Sequence, residues 1–269
     1  CMACAPDIPN VAVFDTAFLS TMPEKAYLYA LPMELYRDYK VRRYGAHGTS
    51  HKFVGQMLAD YIGKPFDKCK LITCHLGNGS SITAIKNGKC VDTSMGMTPL
   101  EGMIMGTRAG DLDANILNFV AKKKGWSLQR VTEMLNKESG LLGISEVSSD
   151  MRDLLEAIDK GNHQAKLALD MLAYRVKKYI GAYYAAMNGV DAICFTAGVG
   201  ENTPELREIV LTDMENLGIE FDKKANYSVP RGQAGKISTD CSKVQVYVIP
   251  TNEELAIARE TVDVLAKKQ

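Results

Sequence analysis

Two glycine-rich segments of the sequence have the composition of phosphate-binding loops. The first joins two predicted strands and contains His75, Leu76, Gly77, Asn78 and Gly79, followed by two serines. The second follows a predicted buried strand and opens a helix, and it consists of Gly198, Val199, Gly200, Glu201 and Asn202. Glycines let the backbone approach a ligand, and amides at a helix start attract anions. A tight turn without a ligand explains each segment equally well, since the sequence has neither a dinucleotide fingerprint nor a Walker A lysine.

Arginine and histidine side chains suited to anionic ligands occur in glycine-rich surroundings. Arg108 lies between Gly106 and Gly110, and its planar guanidinium suits bidentate contact with phosphate or carboxylate. His47 and His51 flank a predicted helix start, but the glutamate that a zinc protease needs after the first histidine is missing. The alternatives are an exposed loop arginine and a packed or capping histidine.

Carboxylates stand at three predicted turns. Asp150 precedes Met151 and Arg152 at a helix start, where an arginine opposes the helix dipole and therefore favours a facing anion. Glu253 follows a strand and begins a helix, which fits either a capping turn or a magnesium ligand. Asp15 follows an apolar run and is either a turn residue or an active-site carboxylate.

The composition excludes several classes of protein. The 269 residues include 32 basic and 32 acidic side chains, so no net charge favours nucleic acid. Hydrophobic residues make up 46%, which excludes general disorder. No apolar run reaches the roughly 18 residues of a membrane span, and no signal peptide is evident, so we expect a cytoplasmic protein. The seven scattered cysteines indicate a reducing compartment, and the Cys1–Cys4 spacing of a zinc half-site has no second pair.

Hydrophobic periodicity and turn signals predict an α/β protein with loops gathered at one sheet end. The region from 111 to 188 is mostly helical, with Ser127 as one cap and a long helix over 162–188. Asn87-Gly88 predicts a type I′ hairpin. Strands are expected at 11–14, 70–76, 80–86, 89–93, 192–196 and 244–249. Further helices are expected at 32–39, 48–62, 204–217 and 253–266.

In their order along the chain, these motifs resemble those of acetate kinases. The resemblance runs from about residue 10 to the C-terminus. It is carried by VFDTAF (13–18), RYGAHGTSH (43–51), ITCHLGNG (72–79), TPLEG (98–102), GTR (106–108), SDMR (149–152), FTAGVGEN (195–202) and IPTNEE (249–254). It implies the actin-like ATPase and sugar kinase (ribonuclease H-like) fold, with a mixed sheet flanked by helices. It also implies reversible in-line transfer of the ATP γ-phosphoryl group to acetate, giving acetyl phosphate and ADP.

The resemblance also implies roles for individual residues. Asp15, His47 and Arg108 match the catalytic residues, and Glu253 matches a glutamate linked to Mg²⁺, with Mn²⁺ as an alternative. Ala46 and Pro99 match the pocket for the acetate methyl group. The ATP/ADP-binding segments match His75, Leu76, Gly77, Asn78, Gly79, Asp150, Met151, Arg152, Gly198, Val199, Gly200, Glu201 and Asn202.

The chain also departs from the family pattern. The resemblance implies a further N-terminal domain that this sequence does not contain, so we interpret residues 1–15 as a linker and the start of a crossover. Residues 16–253 are then the nucleotide-binding and dimerisation domain, and 254–269 a helix returning toward the missing domain. Ala46 replaces a phenylalanine, which predicts better use of propionate or longer acids. Leu19 replaces a frequent histidine, with no role assigned.

The resemblance implies a homodimer formed through this part of the chain. The long predicted helix has an apolar face that belongs either to the core or to the dimer surface, formed by Leu167, Leu169, Met171, Leu172 and Tyr174. Neither a nucleic acid nor a membrane partner is expected. Three alternatives to an acetate kinase stay open: a propionate or other short-chain acid kinase, a non-catalytic nucleotide-binding fragment, and a structural α/β domain with unused glycine loops.

Overall fold

The computed structural model describes residue 4 and residues 7–267 of the chain. The first cysteine of the Cys1–Cys4 pair and part of the predicted 1–15 linker lie outside these residues. Groups of helices and strands follow one another through the rest. The helices are α1 (Glu24–Tyr27), α2 (Met33–Tyr39), α3 (Gly48–Tyr61), α4 (Asn115–Lys124), α5 (Leu128–Lys137), α6 (Gly140–Ser145), α7 (Met151–Asp159), α8 (His163–Met187), α9 (Ala197–Asn202), α10 (Pro204–Leu211), α11 (Lys223–Ser228) and α12 (Glu253–Ala266). The strands are β1 (Lys70–Leu76), β2 (Ser80–Lys86), β3 (Lys89–Thr93), β4 (Ala192–Thr196), β5 (Gly235–Lys236) and β6 (Gln245–Val248).

The strands of the described residues form one mixed sheet in the order β3-β2-β1-β4-β6-β5. β1 pairs with β2 antiparallel and with β4 parallel, and β4 pairs with β6 parallel. The β2–β3 turn has positive φ at both Asn87 (54°) and Gly88 (75°), as the predicted type I′ hairpin requires. The predicted α/β fold with a mixed sheet flanked by helices is therefore confirmed.

Helices cover both faces of the central strands. Six of the seven residues of β1 are buried, and every residue of β4 is buried, which is typical of strands packed on two sides. On one face α8 contributes Leu172 and Val176 to the larger core cluster. On the other face α3 and α12 contribute Phe53, Leu58 and Ala256 to a second cluster. The sheet is thus a rigid platform, and its loops extend from it.

Helix starts are fixed by local capping bonds. The side chain of Ser127 accepts from Arg130 N at 3.2 Å, and that of Asp150 accepts from Arg152 N at 2.9 Å, so both predicted caps are confirmed. The last helix is capped by Asn252, which accepts from Leu255 N at 2.9 Å.

Three sequence predictions of secondary structure are wrong. The 11–14 run is not a strand: no described strand pairs with it, and Phe14 is 70% exposed. The predicted helix over 204–217 ends at Leu211, because Asp213 has φ 56° and only a 3-10 turn follows. The glycine segment after β4, expected to lead into the helix that starts at 204, instead forms the separate short helix α9. Helices α1 and α11 and strand β5 were not predicted, because each spans six residues or fewer and has no periodic pattern.

The predicted apolar face of the long helix α8 is partly buried and partly exposed. Leu169 and Leu172 are buried in the core, whereas Leu167, Met171 and Tyr174 are exposed. The helix therefore supplies core and surface at once, and dimer formation stays a prediction. No helix among the described residues combines the length and apolar character needed to cross a membrane.

Candidate functional site

The candidate site lies where the parallel strands β1, β4 and β6 end. At this edge of an α/β sheet, loops and helix starts from separate parts of the chain meet. The segment after β1 carries Gly77 and Asn78, and α9 follows β4 directly. A cavity of about 700 Å³ opens here, lined by both segments and by the start of α7.

Most of the residues predicted to bind nucleotide line this cavity. They are Gly77, Asn78, Asp150, Met151, Arg152, Gly198, Val199, Glu201 and Asn202. His75, Leu76, Gly79 and Gly200 do not line it. His75 and Leu76 belong to β1 and are buried, and Gly200 packs against the backbone of Phe195 and Cys74. The structure thus brings together nine of the thirteen predicted positions.

The turn into α9 is held in an unusual backbone conformation. Ala197 has φ 65°, which is rare for a residue with a side chain. The Glu201 carboxylate accepts from the Ala197 amide at 2.8 Å and from the Thr251 amide at 3.2 Å. Glu201 therefore joins the β4–α9 turn to the segment after β6, and one of its roles is structural.

The outer wall of the cavity was missed by sequence reasoning. It is formed by Thr203, Pro204, Arg207, Asn226, Tyr227, Val229 and Arg231, which come from α10, α11 and the segment after it. These residues have neither a motif nor a common spacing, so only the fold reveals them. The lining residues Gly106, Leu141, Ser149 and Leu155 were likewise not predicted.

Arg207 is a buried cation in this wall. Its guanidinium donates to Asn226 Oδ1 at 2.7 Å and to the carbonyls of Gly200 and Glu201 at 2.8 Å each. In the described residues none of its hydrogen bonds goes to a carboxylate, and burial lowers the pKa of Arg207 to about 10. The charge of Glu205 acts on Arg207 without a hydrogen bond, so the wall still carries a positive group that favours an anionic ligand.

Asp150 and Arg152 pair with each other at the cavity rim. The Asp150 carboxylate accepts from Arg152 Nη2 at 2.6 Å and Nε at 3.0 Å. These bonds lower the pKa of Asp150 to about 2. Arg152 is largely exposed, so its ion pair with Asp150 contributes little stability. An incoming anion can therefore replace Asp150 as the partner of the guanidinium.

Asp15 and His47 meet at the start of α3. His47 has φ 61°, and its amide donates to Asp15 Oδ2 at 2.6 Å. The Gly48 amide donates to the Asp15 carbonyl at 2.8 Å, and a Cβ on Gly48 would lie 2.2 Å from that oxygen. Only glycine permits this approach, which places the Asp15 carboxylate at the positive end of the helix.

Three histidines form a cluster beside this helix start. The rings of His47 and His75 stack at 4.2 Å between centroids, and His51 lies 6.1 Å from His75. Burial lowers the pKa of all three imidazoles, that of His75 to about 3. For His47 the nearby Asp15 charge partly opposes this shift in pKa, whereas Arg108 adds to it. The cluster is therefore neutral at pH 7.

Hydroxyl groups link the cluster to the strands. Ser81 Oγ lies 2.9 Å from His47 Nδ1 and 2.7 Å from His51 Nε2. Thr73 Oγ1 lies 2.6 Å from His51 Nδ1. A further buried pair, Thr83 and Thr93, is bonded at 2.8 Å between hydroxyl oxygens on the neighbouring strands. Strands β1 to β3 thus present polar groups where hydrophobic side chains usually pack.

His47 and Arg108 converge on the backbone of Gly79. A Cβ on Gly79 would lie 3.3 Å from His47 Nε2 and 3.6 Å from Arg108 Nη1. Arg108 Nη1 also donates to the Pro99 carbonyl at 3.1 Å, and no carboxylate in the described part of the chain pairs with it. Because position 79 has no side chain, the space above Gly79 is bordered only by the Arg108 guanidinium and the His47 imidazole, a combination that suits a phosphoryl group.

Glu253 lies close enough to Asp15 for their charges to interact. Burial and the Asp15 charge raise the pKa of Glu253. No cluster of three or more metal-ligating side chains occurs within the described residues. Two carboxylates still fit Mg²⁺, because this ion keeps several waters and takes its other ligands from nucleotide phosphates.

The residues around the expected acid pocket differ in burial. Ala46 is half-buried and packs against the main core cluster. Pro99 is exposed beside Arg108. Leu19 is completely buried and packs with Met22 and Cys90, which accounts for a leucine at this position as part of the core.

Known proteins share both the sequence and the structure of this chain. The model of the acetokinase family matches residues 1–259. An acetate kinase of Dictyoglomus thermophilum is 58% identical over all of this chain and 67% of its own length. The crystal structure of Porphyromonas gingivalis acetate kinase has a TM-score of 0.96 at 52% identity, covering 98% of this chain and 66% of that one. A propionate kinase of Francisella tularensis has a TM-score of 0.89 at 44% identity, covering 97% and 66%. The chain spans about two thirds of the length of these relatives.

Proposed function

The chain belongs to the acetokinase family, and we propose that it carries the nucleotide site and the transfer centre of a kinase for acetate or a related short acid. The observation that carries the proposal is the convergence of His47 and Arg108 on Gly79. This space adjoins the 700 Å³ cavity, because Gly77 and Asn78 of the same loop line the cavity wall. A nucleotide in the cavity can therefore extend its phosphates toward both donors.

The cavity supports binding of ATP or ADP. Amides at the start of α9 can donate to phosphate oxygens, and the charge of Arg207 in the cavity wall adds attraction. The apolar side chains of Leu155, Val199 and Val229 line the same cavity and suit the flat face of a base.

The transfer centre supports direct phosphoryl transfer. Such a reaction needs alignment of donor and acceptor and neutralisation of charge on the oxygens of the moving group. Arg108 offers a planar fork and His47 an imidazole nitrogen on the two sides of the space above Gly79. Asp15 holds the amide of His47, so it fixes the loop that carries the imidazole.

Mg²⁺ is part of the proposal. Glu253 would hold the ion through water or directly, and the Asp15 charge nearby would strengthen the attraction. When bound, the ion neutralises charge on the β and γ phosphates. Because Glu253 has a raised pKa, binding of the cation would favour its ionised form.

The preferred acid remains open between acetate and propionate. Ala46, in place of an aromatic residue, leaves more room beside His47, which favours the longer acid. One methylene group changes binding by only about 1–3 kcal/mol, so both acids are expected to react.

Trapping of the acyl phosphate as a hydroxamate tests the proposal. The full-length enzyme is expected to form the product only with ATP, Mg²⁺ and a short carboxylate together. Binding of ATP without acid-dependent turnover would instead support a non-catalytic nucleotide-binding protein. Absence of ATP binding at millimolar concentration would overturn the assignment of the cavity.

We also propose that two copies associate through the exposed face of α8. Leu167, Met171 and Tyr174 leave apolar surface in solvent on this helix. Sedimentation velocity should give a dimer for the natural sequence, and a substitution Met171→Lys should shift it toward monomer. An unchanged dimer in that variant would place the interface elsewhere.

A further inference from the structure

We propose that Thr73, His51 and Ser81 form a hydrogen-bond relay that holds His47 in the tautomer with its proton on Nε2. The relay runs from β1 through the buried His51 to β2 and ends at His47 Nδ1. None of its three members lines the nucleotide cavity. They are therefore positioning residues, which act on the transfer centre only through His47.

Counting protons shows that the two histidines must share one tautomer. Ser81 Oγ has a single proton and lies between His47 Nδ1 and His51 Nε2. The hydroxyl can donate to only one of these nitrogens, which must then be unprotonated. It must accept from the other nitrogen, which must then be protonated. Since both rings are neutral, they carry their protons either both on Nδ1 or both on Nε2.

The contacts of Thr73 decide between these two states. If both protons were on Nδ1, Thr73 would accept from His51 and could donate only to the Thr83 carbonyl, which is 3.5 Å away. If both were on Nε2, the Thr73 hydroxyl donates to His51 Nδ1 across 2.6 Å. The shorter contact is typical of a hydroxyl donor, whereas the longer is at the limit of a hydrogen bond. The geometry therefore favours the Nε2 protons.

The consequence concerns the hydrogen bond that His47 offers to its ligand. His47 Nε2 faces the space above Gly79, beside Arg108. With the proton on Nε2, a neutral imidazole donates into this space. Burial of the ring and the nearby Arg108 lower the pKa of His47, although the Asp15 charge opposes them, so the neutral form prevails at pH 7. The role in phosphoryl transfer rests on the function proposed above, whereas the tautomer itself does not.

Nitrogen NMR of the histidine side chains tests the tautomer directly. The chain has four histidines, so selective ¹⁵N labelling gives a readable long-range ¹H–¹⁵N spectrum, with the exposed His163 as a reference. We expect His47 and His51 each to show an unprotonated Nδ1 and a protonated Nε2 in the ligand-free chain near neutral pH. A protonated Nδ1 on His47 would overturn the proposal.

A matched pair of substitutions separates the relay from general packing. Ser81→Ala removes the link, so the nitrogen shifts of His47 should move from limiting values toward an average of both tautomers. Thr83→Val removes a buried hydroxyl from the same strand that is bonded to Thr93 and not to the relay, and it should leave the His47 shifts unchanged. Unchanged His47 shifts in the Ser81→Ala chain would show that Ser81 does not set the tautomer.

Kinetics of the full-length enzyme provide the second readout. Ser81→Ala should lower kcat about 10- to 100-fold, by analogy with the loss of an outer hydrogen-bond partner of a metal-bound histidine, with the KM for ATP unchanged. Thr83→Val should retain the parental kcat. A Ser81→Ala variant with full kcat would contradict the functional role of the relay. An inactive parent enzyme would contradict the proposed function instead, and the NMR spectrum would still decide the tautomer.

Discussion

The transfer centre and the nucleotide cavity are built in opposite ways, although they share one glycine loop. Around His47 hydroxyl groups bind at least one nitrogen of each imidazole, and burial keeps these rings neutral. In the cavity, exposed glycine backbone, an exposed Arg152 and the largely exposed Tyr227 leave about 700 Å³ of open space.

This difference indicates a division of labour. A group that stabilises a transition state is most effective when it is already in position, because no reorganisation is then needed during the reaction. A nucleotide site must instead admit and release its ligand at each turnover. We therefore expect substitutions at the transfer centre to change kcat and substitutions in the cavity to change nucleotide affinity.

The largest expected effect follows from removing the guanidinium of Arg108. Arg108→Ala should lower kcat by roughly 10²- to 10³-fold, as loss of one transition-state donor does in other enzymes. The affinity for ATP and the melting temperature should change little, because this side chain forms no ion pair with described residues and does not line the cavity. Hydroxamate kinetics and calorimetric titration measure these quantities. A large loss of ATP affinity would contradict the proposal that the transfer centre sets kcat and the cavity sets nucleotide affinity.

A methyl group placed above Gly79 should have the next largest effect. Gly79→Ala puts a Cβ 3.3 Å from His47 Nε2, within the space assigned to the phosphoryl group. We expect kcat to fall about 10- to 100-fold through misplacement of the reacting groups. Gly181→Ala on α8, outside both regions, is the matched control, because nothing lies within 4 Å of its Cβ. Equal kcat in the two variants would contradict the position of the transfer centre.

Filling the cavity should weaken ATP binding while leaving kcat at saturating ATP unchanged. Leu155→Trp would occupy space in the 700 Å³ cavity and raise the Kd for ATP by about tenfold, a cost of about 1.4 kcal/mol. The volume-conserving Leu155→Met should retain the parental Kd. If the tryptophan variant lowers kcat at saturating ATP while its Kd is unchanged, the nucleotide binds elsewhere.

A smaller effect is expected on the choice of acid. Ala46→Phe should increase the preference for acetate over propionate by about tenfold in kcat/KM, within the range of one methylene group. Parallel assays with both acids measure this ratio. An unchanged ratio would show that position 46 does not contact the acid.

The acid stability of the protein tests the buried imidazoles. Burial lowers the pKa of His75 to about 3. Between this value and the usual value near 6.5, the unfolded chain binds a proton that the folded chain excludes. The free energy of unfolding should therefore fall as the pH decreases from about 6.5 toward 3, by at most about 1.4 kcal/mol per pH unit for this group.

Urea unfolding at several pH values measures this slope. His75→Gln should reduce the slope, whereas His163→Gln on the exposed start of α8 should not. An identical slope for His75→Gln and the parent chain would show that the imidazole of His75 is accessible to protons in the folded state.

Short-range sequence patterns predicted most strands of the sheet. They also predicted the glycine segments and the start of α7, which form one side of the cavity. The meander over 70–93, the strand before α9 and the caps at Ser127 and Asp150 depend on neighbouring residues, and the structure confirms them. The run over 11–14 is apolar but has no strand beside it among the described residues, so hydrophobicity alone was misleading there. Strand formation requires a partner, which a single segment does not reveal.

The rest of the site depends on long-range contacts. Arg207 becomes part of the cavity wall because α10 packs against α11 and places Asn226 beside it. Likewise, Ser81 and Thr73 join the histidines only because β1 and β2 pair in one register. Thr73 lies within the ITCHLGNG motif and Ser81 just after it, but nothing in that motif shows that either side chain contacts a histidine. The roles assigned to the site residues stay predictions. The domain boundaries proposed after residues 15 and 253 stay predictions as well.

The buried hydroxyls of β1 to β3 have a consequence for protein engineering. Thr73, Ser81, Thr83 and Thr93 are completely inaccessible to solvent, where a redesign for stability would choose valine or alanine. Such a redesign would keep the shape of the sheet and could raise its melting temperature. It would also remove the Thr73 and Ser81 hydroxyls of the proposed relay to His47 while leaving the glycine-rich loops unaltered. A stabilised variant could therefore still match the family by sequence and yet have lost its turnover.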